Sequence, residues 1–386
     1  METAALIMTK VTVPFTITLL VLGLIIAIWL GYIACLTIKE NRACQGSQIE
    51  DQVYKLSPKY AELQGVINEY SVQKGGIGLQ VTVIFPDDLT WIGTAGYADI
   101  VEQCPMVPRH HLNIGSMTKL FTAALTMEQV EKGVLRLDNP ISMWIHLVKA
   151  RDITIRNLLN HTSGLPDYAH APRFLIRWFG LPGKIWKPDE LISVIGTKSS
   201  QFDPGSRYEY SNYLLLGVIL EKVTGKPYPL ILDEAIREKP GFTVTYFLNY
   251  ADDLAIANGY DEALLKLGRR NLTGFRQSLE SGAYAAGGIL STSEDVAHFL
   301  HALLNGFVIS DASLTIIQTF MDAQDKDIPE QTGYGLGLRH LFIDGEDWIG
   351  HMGSIPGFSG IAMYNKQKGY PVVILSNLSM IEQTKL

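Results

Sequence analysis

In "NIGSMTKLFTAALTMEQVEKG", residues 113–133, Ser116 and Lys119 stand three apart where an amphipathic helix begins. Leu120, Phe121, Ala124, Leu125 and Val130 fall on one face of that helix, and Gly133 is placed to end it. Residues three apart on a helix project from the same side, so the hydroxyl and the amine can meet. Backbone N–H groups and the positive end of the helix dipole lie beside the first turn, where developing negative charge is stabilised. Serine is also a common helix-starting residue, so these 21 residues leave catalysis and helix punctuation both open. A second copy of the spacing, Ser71 and Lys74 in "SVQKGG", sits in a turn before a strand. A lysine next to a flexible Gly-Gly is not fixed relative to its serine, so that copy reads as structural.

Working outward, "IGLQVTVIFPDDLTWIGTAGYAD" (77–99) reads as a β-hairpin, with alternating β-branched residues, a Pro-Asp-Asp turn and an aromatic second strand. A helix is expected before it, near Tyr60 to Tyr70. The C-terminal part returns to strands in "GYGLGLRHLF", "WIGHMGS", "GFSGIAMYN" and "YPVVILSN". Between these ends the pattern is mostly helical, broken by loops at "HTSGLPDY" and "FDPGSRYEYSNY". The expected fold is therefore α/β of the α+β kind. An antiparallel sheet is built from N- and C-terminal strands and flanked by helices, with a mostly helical subdomain inserted over about 118–300.

From Val11 to Ile38 no side chain carries a formal charge. A bilayer core of ~30 Å needs ~20 apolar residues in a helix, so this run is long enough to span. The expected organisation is an N-terminal flank (1–10), a transmembrane signal anchor (11–38), a polar tether (39–58) and a catalytic domain (59–386). Cleavage before Cys35, as in a lipoprotein, is the weaker alternative. Lys10 flanks one side and Lys39 and Arg42 the other, so charge does not orient the span. The domain is expected outside the cytoplasm. Cys35, Cys44 and Cys104 are scattered and give no disulfide framework. The chain has 386 residues and a formal net charge of −7, which argues against a nucleic-acid partner. Glu294, His298 and His301 share a helix face without a metal-site pattern, so no metal and no organic cofactor are expected.

Two further pieces decide the reading of Ser116. Tyr210-Ser211-Asn212 lies in "YEYSNY", and His351-Met352-Gly353 lies in "GHMGS". Ser-x-x-Lys, Tyr-x-Asn and Lys/His-x-Gly occur here in the order that marks the serine β-lactamase and penicillin-binding-protein group. The chain resembles that group, most closely its class C β-lactamase, D-Ala-D-Ala peptidase and esterase branch. The stretches "LLNHTSGLPDY", "FDPGSRYEYSNYLLLGVILEKVTGKPY", "AAGGILSTSEDVAHFLHALLNG" and "HMGSIPGFSG" also look like the family, so the resemblance runs from about residue 60 to 377. In one respect the chain departs from it. Relatives usually follow the last strand with a long helix, whereas only "LSMIEQTKL" follows Asn377. That helix is then very short, or another segment or a partner covers the face.

The resemblance implies a β-lactamase/DD-peptidase-like fold and a membrane-anchored hydrolase acting through a Ser116 acyl-enzyme on a small-molecule or peptide amide or ester. It implies that Lys119 and Tyr210 share proton transfer, and that Asn212 holds Lys119 and the substrate. The backbone N–H groups of Ser116 and Ser354, the latter just after Gly353, would receive the oxyanion. His351 is expected to contact substrate. Histidine is charged only part of the time at pH 7, so a carboxylate substrate would bind better at pH 6 than at pH 8. The alternative is a non-turnover protein that binds peptides or β-lactams, or self-assembles, on the same scaffold.

Overall fold

The computed structural model describes residues 2–45, 58–147, 152–195, 201–209, 213–237, 245–262 and 268–379. Among them a helix α1 (Glu2–Glu40) is followed by α2 (Pro58–Gln73) and the hairpin β1 (Leu79–Ile84) and β2 (Thr90–Ala95). The C-terminal strands are β3 (Met321–Asp322), β4 (Gln331–Tyr334), β5 (Arg339–Ile343), β6 (Glu346–Ile355), β7 (Phe358–Asn365) and β8 (Tyr370–Ser376). These eight strands form one antiparallel sheet in the order β2-β1-β8-β7-β6-β5-β4-β3. The N- and C-terminal parts of the sheet meet where β1 pairs with β8, Leu79 opposite Ser376 and Val83 opposite Val372. The expected sheet of N- and C-terminal strands is the one observed.

Strand β1 shows how the sequence assigns its faces. Leu79, Val81 and Val83 pack with Trp91 and with Ile67 of α2. The alternating Gln80 and Thr82 face the other way, yet both are buried. Their polar atoms are satisfied there. Thr82 shares a 2.8 Å hydrogen bond with Ser293, and the Gln80 amide donates to the carbonyl of His110. Ser293 opens α7 (Ser293–Leu304), which packs on β1 and β8 and covers this second face. The first face is covered by α2, which precedes the sheet in the chain. Residues 380–386 lie outside the described residues.

The middle of the chain is largely helical, as expected. Its elements include α3 (Thr118–Glu131), α4 (Pro172–Gly180), α5 (Tyr213–Thr224) and α6 (Arg276–Ala283). Helix α3 is central. Phe121 stacks on Phe299 of α7 at 3.9 Å, and Leu120, Phe121, Ala124 and Leu125 are buried between sheet and helices.

Two expectations are corrected. The start of the tether is clamped to the domain: Glu40 is buried and ion-paired to buried Arg276. The carbonyl of Ala43 accepts from His110 Nε2 at 2.7 Å, and Cys44 is disulfide-bonded to Cys104, their Cα atoms 5.4 Å apart. Two cysteines 60 residues apart carry no spacing signature, so the pairing could be read only from the fold. Residues 46–57, the rest of the tether, lie outside the described residues. The serine of the second Ser-x-x-Lys is structural, as expected: buried Ser71 donates to the carbonyl of Ile77 at 2.7 Å.

Candidate active site

Ser116 sits in a single 3₁₀ turn, Gly115–Met117, that leads directly into α3. Gly115 has φ +52°, a left-handed conformation that favours glycine. A Cβ there would lie 2.8 Å from the backbone nitrogen of Ser354 on β6. At Gly353 a Cβ would collide with the carbonyl oxygen of Ile114. The two glycines therefore let the main chain at Ser116 and the main chain at Ser354 lie side by side. Asn113 holds the approach by accepting from the Gly115 N–H at 2.8 Å.

One helical turn on, Lys119 Nζ is 2.9 Å from Ser116 Oγ and 2.7 Å from the carbonyl oxygen of Ala286. Lys119 is 2% exposed. Burial pushes its pKa well below the ordinary lysine value; Asp167 opposes the shift and the nearby Arg339 cation reinforces it. A neutral amine at this position can accept the serine proton. The Tyr213 ring lies 5.7 Å from Nζ, and His161, Tyr208, Tyr213 and Tyr334 pack together behind it. The Tyr213 ring is thus among the groups that enclose the amine.

His351 is fully buried on β6, behind the cleft and away from its lining. Its Nδ1 lies 2.6 Å from the carbonyl of Met352, which can only accept, so Nδ1 carries the proton. Its Nε2 then accepts from the Tyr334 hydroxyl at 3.0 Å. Burial, and the cations Arg339 and Lys119, hold its pKa well below the ordinary value. The imidazole ties the backbone just before Ser354 to Tyr334, and its depressed pKa favours the neutral form. Tyr210 and Asn212 lie outside the described residues.

The cleft in front of Ser116 measures about 270 Å³. Ser116, Lys119 and Ser354 lie in its floor, Leu175 and Trp178 of α4 form an apolar wall, and Asp167 and His170 stand at its edge. The Asp167 carboxylate accepts from the Ala169 N–H and from His170 Nδ1, at 2.9 and 2.7 Å. That partner raises the His170 pKa. Asp167 and Arg339 were not singled out in the sequence. Asp167 lies within "HTSGLPDY", whose loop character was legible, while Arg339 sits in a strand with no local signal.

A serine hydroxyl beside a buried lysine of depressed pKa, with two main-chain segments converging next to it, is an arrangement suited to acyl transfer. The relationships of the chain agree with this chemistry. The Beta-lactamase family model matches residues 63–381, and the chain belongs to that family of serine hydrolases. A putative penicillin-binding protein, PbpX, of Bacillus subtilis is 27% identical over 350 residues, 88% of this chain and 82% of that one. Another penicillin-binding protein of that organism is 28% identical over 305 residues, 75% of this chain and 66% of its own length. Among solved structures, the D-amino acid amidase from Ochrobactrum anthropi SV3 superposes with a TM-score of 0.75 at 29% identity, covering 83% of this chain and 92% of that one. The octameric penicillin-binding protein homologue from Pyrococcus abyssi has a TM-score of 0.72 at 29% identity, covering 84% and 74%.

Proposed function

We propose that the chain is a membrane-anchored serine hydrolase that cleaves an amide or ester of a small molecule or short peptide through a Ser116 acyl-enzyme. The observation that carries this reading is the 2.9 Å separation of Ser116 Oγ from a buried Lys119 amine whose pKa is depressed. Neutral Lys119 takes the hydroxyl proton as Oγ attacks the substrate carbonyl carbon. The resulting oxyanion accepts hydrogen bonds from the backbone N–H groups of Ser116 and Ser354. Collapse of this intermediate breaks the carbon–nitrogen or carbon–oxygen bond, and the proton passes to the leaving group. Water then hydrolyses the Ser116 ester and restores the serine. Tyr210 and Asn212 are proposed, by family pattern, to share the proton transfers and to hold the substrate amide.

Anchoring is supported by the uncharged run of α1 that begins at Val11: its Val21–Glu40 portion has the length and hydropathy of a membrane span, and the described side chains N-terminal to Trp29 are the part not packed on the domain. The Cys44–Cys104 disulfide supports an oxidising location for the domain, outside the cytoplasm.

The test is the intact mass of the full chain in detergent after exposure to a fluorophosphonate and, separately, a penicillin, beside Ser116→Ala and Ser71→Ala. The expected result is a single covalent adduct in the parent and in Ser71→Ala, and none in Ser116→Ala. A penicillin adduct that decays marks turnover, whereas one that persists favours a trap. Folded protein that takes up neither reagent would overturn the reading.

A further inference from the structure

Residues 172–187 build the apolar wall of the cleft from one side and an exposed surface from the other. We propose that this outer surface rests on the membrane, among anionic lipid headgroups of the leaflet from which α1 emerges. The proposal rests on the anchoring reading above and adds to it a second, peripheral contact that fixes how the cleft faces the bilayer.

The contacts along α1 set the geometry. Near its C-terminal end, Glu40 meets Arg276, and Gly274 packs against Ile33 and Thr37. Nearer the N-terminus, Gly183 packs against Tyr32 and Leu36, and the Trp29 indole N–H donates to the carbonyl of Gly180 at 3.0 Å. Beyond Trp29, the side chains of Leu22, Leu24, Ile25, Ile26 and Ile28 are exposed. The docked portion therefore ends at the Gly180–Gly183 turn. The apolar stretch from residue 11 to 28 extends about 27 Å as helix, close to the ~30 Å of a hydrocarbon core. Seated so, the bilayer surface lies at the level of Trp29, a residue type enriched at membrane interfaces. The chain at 176–185 then lies at that same level.

Its outward side chains suit the position. Ile176, Leu181 and Ile185 are 73%, 45% and 58% exposed, on the segment whose Gly180 and Gly183 meet α1. Arg173, Arg177 and Lys187 are exposed beside them. Lys184 is bound to Glu190 at 2.8 Å, and from 172 to 190 four cations stand against two carboxylates in a chain of net charge −7. Bulky apolar tips interleaved with basic residues are the composition of an interfacial surface attracted to anionic lipid. The opposite face of the same helix presents Leu175 and Trp178 to the cleft. The cleft wall and the membrane contact are thus one element.

The test uses the full chain in nanodiscs of phosphatidylcholine, with or without phosphatidylglycerol, containing brominated acyl chains. In a Cys35→Ser background, bimane is placed singly at Leu24→Cys, Ile176→Cys, Ile185→Cys and Phe307→Cys. Phe307 is exposed near the end of α3 remote from the cleft, where the Ser310 N–H bonds Glu131. Quenching is expected at positions 24, 176 and 185, about three-fold stronger than at 307. Adding Arg173→Glu and Lys187→Glu should weaken quenching at 176 and 185 in the anionic discs and leave position 24 unchanged. Quenching at 24 with 176 and 185 indistinguishable from 307 would overturn the proposal, leave the anchor standing and point to a protein partner or a second copy. No quenching at 24 would refute the anchor, and the peripheral contact with it. Insensitivity to the charge reversals would overturn the anionic-headgroup assignment.

Discussion

In the proposed reaction Lys119 is the side chain on which the chemistry turns, and its electrostatic neighbours set the pH at which it would act. Burial lowers its pKa, Asp167 raises it and Arg339 lowers it. As a base it works only unprotonated, so kcat/KM should rise with pH as Lys119 loses its proton. Replacing Asp167 by Asn removes the charge that favours the ammonium form. The acid limb of the profile should then move to lower pH, because the neutral amine is reached earlier. Steady-state rates of Asp167→Asn against the parent on one chromogenic ester, taken across the limb, check this. A limb that stays in place would mean that another group titrates in it, Tyr210 being the first to examine. The same balance bears on stability. A lysine whose folded pKa is depressed costs folding free energy wherever the unfolded chain would hold the proton, and that cost is relieved as pH rises toward the ordinary lysine value.

At the scale of elements, the site is a junction between a 3₁₀ turn and a strand, and the junction depends on glycine. Gly115→Ala would place a methyl group 2.8 Å from the Ser354 nitrogen in a backbone conformation that alanine resists. The turn and β6 must separate, and the two main-chain donors part with them. Loss of one such donor costs 10²–10³ in kcat, so a fall of about that size is expected in Gly115→Ala with a folded domain by circular dichroism. An unimpaired variant would place the oxyanion elsewhere. The closeness of Ser116 and Lys119 was legible from their spacing on a helix, but spacing alone did not separate them from Ser71 and Lys74; the order of the three motifs did. The hairpin and the C-terminal strands were legible from their alternation and turns. The roles of Asp167, Arg339 and His351 were not. Each depends on segments remote in sequence, and whether a histidine is an exposed cation or an enclosed neutral pin is decided by burial that Tyr334 and its neighbours supply. The tether misled for a similar reason: its polar composition suited solvent, but its Glu40 is buried against Arg276 and its Cys44 is bound to Cys104.

At the scale of the whole molecule, the joint between α1 and the domain is a buried charge cluster. Arg276 lies between Glu40, at the end of α1, and Glu280, 3.8 Å away on its own helix, with the Tyr250 hydroxyl 3.0 Å from the Glu280 carboxylate. Arg42 stacks over the same Tyr250 ring, so the segment leaving α1 grips the cluster from two sides. One cation cannot fully compensate two enclosed carboxylates. Burial accordingly pushes the Glu280 pKa up to about 7, against the partial opposition of Arg276. A carboxyl group whose pKa is raised on folding binds a proton that the unfolded chain releases. Its contribution to stability is therefore full below the ordinary carboxylate range and is lost as pH rises toward about 7. A shift of this size corresponds to about 3 kcal/mol at most. Glu280→Gln holds the site permanently neutral. Its melting temperature should match the parent below about pH 4, begin to exceed it above the ordinary carboxylate range and exceed it fully near pH 8, where the parent carries the uncompensated charge. The difference between the two proteins is the quantity to follow, since other carboxylates titrate equally in both. A parent that remains the more stable at pH 8 would show that the ionised Glu280 is held favourably by Arg276. The joint would then be a satisfied ion-pair network, and acid, rather than alkali, would loosen the domain from its anchor.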